Sequence, residues 1–287
     1  MDYPKSVANV GLVNGKFIDE DTAKGTVGSL IPAGWGNAVT DEILAVITAG
    51  GLTPDEATLN QLTAAIRNLA NAASGLLIGI KTFTASGTYT ATAETKSIIV
   101  EAVGGGGSGG ACPATSSAQA AAGSGGGSGA YAKARFTTGF SGAAVTVGQG
   151  GAAPAAGSNN GNMGGTTSFG SLLSCPGGTY GYTGTVASSA GLSASNGGNG
   201  PVPTGANIVG FGGEAGANGV TLNGTFALAG KGGDNPLGIG GHYPTGGGAR
   251  SGSGYGSGSS GVNANYSSAA SAGLAGQPGI VIVYEYA

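Results

Sequence analysis

Apolar residues change their spacing along this chain of 287 residues, and each change marks a new kind of element. Val39, Ile43, Val46 and Ile47 recur at helical spacing behind the only tryptophan, Trp35, and the series stops at Gly50-Gly51. A second series, Leu59, Leu62, Ile66, Leu69, Ala73 and Leu76, alternates gaps of three and four. It predicts a helix with a marked start: Thr53 can cap it, Pro54 suits the first helical position, and Glu56 completes a Thr-x-x-Glu capping box. The alternation is also a heptad seam, through which Leu59, Leu62, Ile66, Leu69 and Leu76 would zip identical helices together. A homotrimer is the favoured assembly. The same spacing fits a dimer, or a helix packed on its own neighbour.

From Lys81 the period falls to two. The β-branched and aromatic runs 83–90 and 97–103 read as strands joined in a hairpin through the polar stretch 91–96. Ile98, Ile99, Val100 and Val103 make the second strand apolar on both faces, which places it centrally in its sheet. Further strands are predicted at 130–136, 145–147, 167–173, 225–228 and 280–286. The last is again apolar on both faces, so it is expected to close the domain by pairing near Ser97–Val103. The reading is a mainly β protein: a segment with two helices over 1–79, then an antiparallel β-sandwich-like domain over 80–287 with long glycine-rich loops.

Those loops, 104–129, 148–165, 191–219 and 230–279, are too long to be structureless inside a compact domain. Of the 64 glycines, eleven precede Gly104, which leaves 53 in the last 184 residues. Without a Cβ, such stretches can run as extended polyglycine helices of three residues per turn, packed side by side with backbone hydrogen bonds between them. Collagen is excluded because glycine never keeps a strict every-third period. A flexible linker would explain Gly104 to Gly110 alone, but apolar runs such as Ile280 to Tyr284 return beyond it.

Charge narrows the function classes. After Glu101 only Lys133, Arg135, Glu214, Lys231, Asp234, Arg250 and Glu285 are charged, and the formal net charge is −3. There is no basic footprint for nucleic acid. No apolar stretch approaches the ~20 residues of a membrane span, and the N-terminus lacks a signal-peptide pattern. The expectation is a soluble protein assembled in the cytoplasm, without membrane insertion.

Catalytic constellations are missing as well. His242 is the only histidine, too few for a zinc site and poorly placed for a Ser/His/Asp triad. A glycosidase-type pair would require Glu214 and Asp234 to converge. No phosphate-binding glycine motif stands in the right context. Cys112 and Cys175 lack ligand-spaced partners and read as small buried or loop thiols ahead of a disulfide. No cofactor, no metal and no enzymatic activity are expected.

Several motifs carry a resemblance. Met1-Asp2-Tyr3-Pro4-Lys5-Ser6-Val7, Gly11-Leu12-Val13-Asn14-Gly15-Lys16-Phe17, the run from Ile31 to Leu44, and Gly51-Leu52-Thr53-Pro54-Asp55-Glu56 resemble the N-terminal region of bacteriophage tail fibres, particularly those of Mu-like phages. The run Phe83 to Thr90 leading into Ile98 to Gly107, then Gly165 to Gly170 and Gly279 to Val283, resembles the glycine-rich tip domains of phage adhesins. The resemblance implies a homotrimeric fibre on the virion, held through its N-terminal region by baseplate or tail proteins. Its tip would bind a host surface structure: a type IV pilus, lipopolysaccharide or an outer-membrane protein. A depolymerase tailspike and a structural spacer are the alternatives.

Exposed tyrosine and arginine are the natural anchors of such a surface. In the long loops these are Tyr180, Tyr182, His242, Tyr243, Arg250, Tyr255 and Tyr266, while Phe211 is expected to pack on its own glycine backbone. Tyr243, Arg250 and Tyr255 share one loop and form the first-choice contact site.

Overall fold

The computed structural model describes residues 5, 7–72, 75–244 and 246–287, so Met1 to Pro4 and Ser6 of the opening motif, and Ala73 of the leucine series, lie outside the described residues. The chain divides into two compact units, Met1–Leu76 and Leu77–Ala287.

In the first unit, α1 spans Ala33–Ala49 and takes in Trp35, whose ring meets Phe17 edge-on at 5.1 Å. It stops at Gly50, whose N–H still reaches the Val46 carbonyl. The second helix, α2, spans Gln61–Ala72 and does not start at Pro54. Local side-chain bonds win over the capping box: the Asp55 carboxylate accepts from Ala57 N–H and Thr58 Oγ1, and the Gln61 amide bonds both Asp55 N–H and the Thr53 carbonyl. Such bonds hold the backbone in turns. Leu59, 97% exposed, and Leu76, beyond left-handed Gly75, are therefore not on the helix, and the seam shortens to Leu62, Ile66 and Leu69.

The helices meet at Gly50 and Ala65. Ala65 is fully buried, and a Cβ on Gly50 would lie 2.6 Å from its Cα and Cβ. Gly50→Val is expected to destabilise this unit by about 1–3 kcal/mol through overpacking. Faster amide exchange over 33–72, with exchange in the strands unchanged, is the check.

The second unit is built on a five-stranded antiparallel sheet, in the order Leu77–Phe83, Ile280–Tyr286, Ser97–Val103, Tyr131–Phe136, Val209–Phe211. The expected hairpin of 83–90 with 97–103 is not formed. The predicted strand 83–90 is not continuous: its Gly87–Thr88 pairs in the other sheet, and the last strand lies between Leu77–Phe83 and Ser97–Val103, pairing Val283 with Lys81 on one side and with Val100 on the other. A strand apolar on both faces gains most from two neighbours, and here the chain's last strand has them. A four-stranded sheet of Gly87–Thr88, Ala144–Thr146, Thr167–Phe169 and Leu173–Cys175 faces it. Ile98, Val100, Val281 and Val283 from the first sheet meet Tyr89, Val145, Phe169 and Leu173 in one buried cluster. The side chains are alternately inward and outward, so one face of each sheet supplies the core.

Beyond the sheets the backbone leaves β structure without leaving order. The chain runs out from Val103 through 104–112, turns, and returns through 121–130 to Tyr131. Along the outward run, the N–H groups of Gly104, Gly107 and Gly110 bond the carbonyls of Ala130, Gly127 and Ser124, while those of Gly105, Ser108 and Ala111 bond Gly165, Asn162 and Asn159. The carbonyls of Gly105, Ser108 and Ala111 accept from Gly178, Gly181 and Gly184, and those of Gly107 and Gly110 accept from Ser259 and Val262. Each neighbour is met every third residue, which is the three-residue turn of a polyglycine helix.

Further bonds, from Gly106 to the Gln277 carbonyl and from Gly151 to the Gly106 carbonyl, add two more neighbours. The 104–112 thread thus has partners on all sides, and every residue of it is buried. Serine fits where its hydroxyl completes the net: Ser259 Oγ takes the Gly109 N–H, and Ser108 Oγ takes that of Asn162.

Candidate functional site

The bond registers place the thread turns at one end. Cys112 pairs with Ser271, Ala120 with Ala187, Gly248 with Asn263, and Gly157 N–H reaches the Cys112 carbonyl. The turns 113–120, 153–158, 185–195, 219–228 and 264–271, with 243–244 and 246–248, therefore gather at the far ends of the threads. Val103 and Cys112 are nine steps apart along the chain, so at ~3.1 Å per step that end stands about 28 Å from the sheets.

The predicted contact residues divide by position. Tyr243 and Tyr266, 47% and 59% exposed, sit on far turns, and Tyr266 N–H bonds the Thr225 carbonyl, joining two of those turns. His242 is exposed beside Tyr243. Arg250 is exposed too, its guanidinium donating only as far as the Ala249 carbonyl and its backbone N–H held by Ser260 Oγ. Tyr180 and Tyr182 stand two residues apart on an outward thread, their rings edge-on at 5.2 Å. The hydrogen bond with Tyr182, reinforced by its charge, pushes the Tyr180 hydroxyl above its usual range.

Tyr255 stands elsewhere. It is half-buried against Val103, Tyr131 and Ile280, and its N–H bonds the Leu237 carbonyl at the sheet end of the threads. Leu237 and Tyr243 are six residues apart, about 19 Å along a thread. The structure thus gathers His242, Tyr243 and Arg250 toward the far end and sets Tyr255 apart from them.

Sequence reasoning passed over two far-end residues, Leu192 and Leu222, which are 60% and 52% exposed. Leu192 lies opposite Val220, and Val220 opposite Leu228, so these three share one face of a small sheet. Their signal was available: Leu192 is a lone large apolar residue in the small-residue run 187–201, and Leu222 alternates with Val220 just before Asn223-Gly224.

Phe211 does not pack on glycine backbone. It stacks on the Tyr131 ring at 5.3 Å and stays 44% exposed. Glu214 and Asp234 do converge, since Asp234 N–H donates to Glu214 Oε2 at 3.0 Å. Cys112 and Cys175 are buried and unpaired, and burial pushes both thiols up to about 12, which removes the thiolate needed for reaction. Among the described residues no group of three potential ligands could hold a metal ion.

The threads, the sandwich that anchors them and the turns that end them span one continuous stretch, and residues 82–286 match the sequence profile of the glycine-rich domain family. The chain belongs to this family. No curated protein matches the chain in sequence. Within the glycine-rich domain, the thread interior admits little beyond glycine, alanine and serine, and large exposed side chains stand on the far turns, along the outer threads and around Val202 and Phe211 at the sheet end.

Proposed function

We propose that the protein is a bacteriophage tail-fibre receptor-binding protein that attaches the virion to a bacterial surface structure without catalysing a reaction. The supporting observation is the contrast inside the glycine-rich domain. Thread positions are closed to side chains by their neighbours' backbones, whereas the far turns carry Tyr243, Tyr266, Leu192 and Leu222 in the open. A rigid stack that presents large side chains on its turns is suited to recognition, because little ordering entropy is lost on contact. The N-terminal unit would join baseplate or tail proteins. Leu62, Ile66 and Leu69, 38%, 56% and 37% exposed in the single chain, would form a homotrimer seam. The receptor class is a type IV pilus, lipopolysaccharide or an outer-membrane protein.

Purified protein in excess is expected to block adsorption of a phage carrying this chain, and host mutants lacking pili or long lipopolysaccharide name the receptor. Protein that leaves adsorption unchanged would mark the chain as a fibre spacer. Tyr243→Ala combined with Tyr266→Ala is expected to weaken blocking by at least about tenfold at unchanged melting temperature. Tyr255→Ala, by contrast, is expected to lower the melting temperature.

A further inference from the structure

At the sheet end of the threads, Asn199, Val202, Phe211, Glu214 and Asp234 line a pocket of about 450 Å³. We propose that this pocket is a saccharide-binding site, distinct from the far turns and independent of whether those turns bind a receptor.

The aromatic face comes first. Phe211 is 44% exposed on one side and stacked on Tyr131 on the other, with ring planes 27° apart. Tyr131 is itself pinned, its hydroxyl donating to Glu101 Oε1 at 2.6 Å. An exposed ring held rigid from behind is a platform for the C–H face of a pyranose, which loses little rotamer freedom on binding. Val202, 70% exposed, extends the apolar wall.

Polar groups at the rim match hydroxyls. Glu214 Oε2 takes the Asp234 N–H, which orients the carboxylate and leaves Oε1 to accept from a ligand hydroxyl. Asn199 Oδ1 takes the Ala215 N–H, so its NH₂ is the part that can donate. An apolar pocket with a few fixed polar groups is the usual form of a small-ligand site.

Both oxygens of Asp234 are already engaged. Its Oδ1 accepts from Gly240 N–H at 2.7 Å and its Oδ2 pairs with Lys231. Glycoside cleavage needs two available carboxyl groups, one acid and one base or nucleophile. Held by Lys231 and the Gly240 N–H, Asp234 is poorly placed for either role, which assigns the pocket to holding a sugar rather than cutting it. Two carboxylates against one lysine favour neutral or amino sugars over uronic acids.

The test titrates the full-length protein with maltose, lactose, N,N′-diacetylchitobiose and digalacturonate, read by saturation-transfer NMR. At least one neutral or amino disaccharide is expected to saturate at millimolar concentration, and digalacturonate is not. Phe211→Ala and Glu214→Gln are each expected to weaken that binding at least about tenfold. Glu214→Gln removes no packing and so separates lost binding from lost folding. Tyr243→Ala is expected to leave the titration unchanged. Absence of saturation by all four sugars, or unchanged affinity in Glu214→Gln, overturns the proposal. So would release of new reducing ends, which would make the pocket hydrolytic.

Discussion

Gly107→Ala is expected to destroy the glycine-rich domain as a folded unit, although it adds a single methyl group. A Cβ at Gly107 would lie 1.9 Å from the Thr179 carbonyl oxygen, far inside van der Waals contact. That oxygen cannot withdraw, because it accepts the Gly127 N–H at 2.7 Å, and Gly127 in turn accepts from Gly107. The backbone of Gly107 is not left-handed, so glycine is required here for space and not for conformation.

Overpacking in an ordinary core costs about 1–3 kcal/mol because side chains can repack. Here the obstacle is backbone, and the expected loss exceeds about 3 kcal/mol, as when a glycine of a collagen-like axis is replaced. Gly191→Ala is the control: nothing lies within 4 Å of its Cβ and its φ is not left-handed. It is expected to change stability by less than about 1 kcal/mol. Denaturant unfolding of the two variants measures the difference, and equal midpoints would mean that the threads are loosely held.

Much of this architecture was legible because period and glycine content are properties of the chain itself. Both ends of the Ile280–Tyr286 strand, its pairing with Ser97–Val103 and the three-residue step of the threads followed from apolar runs and from a missing Cβ. The pairing order was not legible. Adjacent strands in sequence suggested a hairpin, but a two-faced apolar strand almost 180 residues later competes for the same edge, and local propensity does not rank such long-range partners. The start of α2 failed for a related reason. Thr53-Pro54 satisfies the rule for a helix start, yet the Asp55 and Gln61 side chains bond the same backbone groups in a turn.

The position of the exposed aromatic residues was half legible. Large side chains stand out in a glycine background, which found Tyr243 and Tyr266. Which end of a thread each one occupies depends on the bond register, so Tyr255 could not be told apart from them. The same register brings Glu214 and Asp234 together from threads twenty residues apart in sequence.

Glu285→Ala is expected to cost about 3–5 kcal/mol, because it orphans a set of donors in a site closed to water. The Glu285 side chain is fully buried. Its Oε1 accepts from the Tyr89 hydroxyl at 2.7 Å, Thr92 N–H at 3.0 Å and Lys81 Nζ at 3.1 Å, and its Oε2 accepts from Thr92 Oγ1 at 2.6 Å. Burial by itself would raise this carboxyl, but the bonds from Thr92, Tyr89 and Lys81 together outweigh it and hold the group at about 2, against an ordinary 4.5. A depressed folded-state value means that the carboxylate stabilises the fold above pH 4.5, and that this contribution is lost as the pH falls from 4.5 through about 2.

That difference corresponds to about 3 kcal/mol of stability tied to one proton. Glu285→Gln keeps the shape and removes the titration. Relative to the parent it is expected to be destabilised at pH 7, and the gap should close as both are acidified toward pH 2. The remaining carboxylates titrate alike in both proteins and cancel in the comparison. A gap of constant size from pH 7 to pH 2 would mean that Glu285 is not held as a carboxylate by its donors. In that case the closing strand would owe its place to its apolar faces alone.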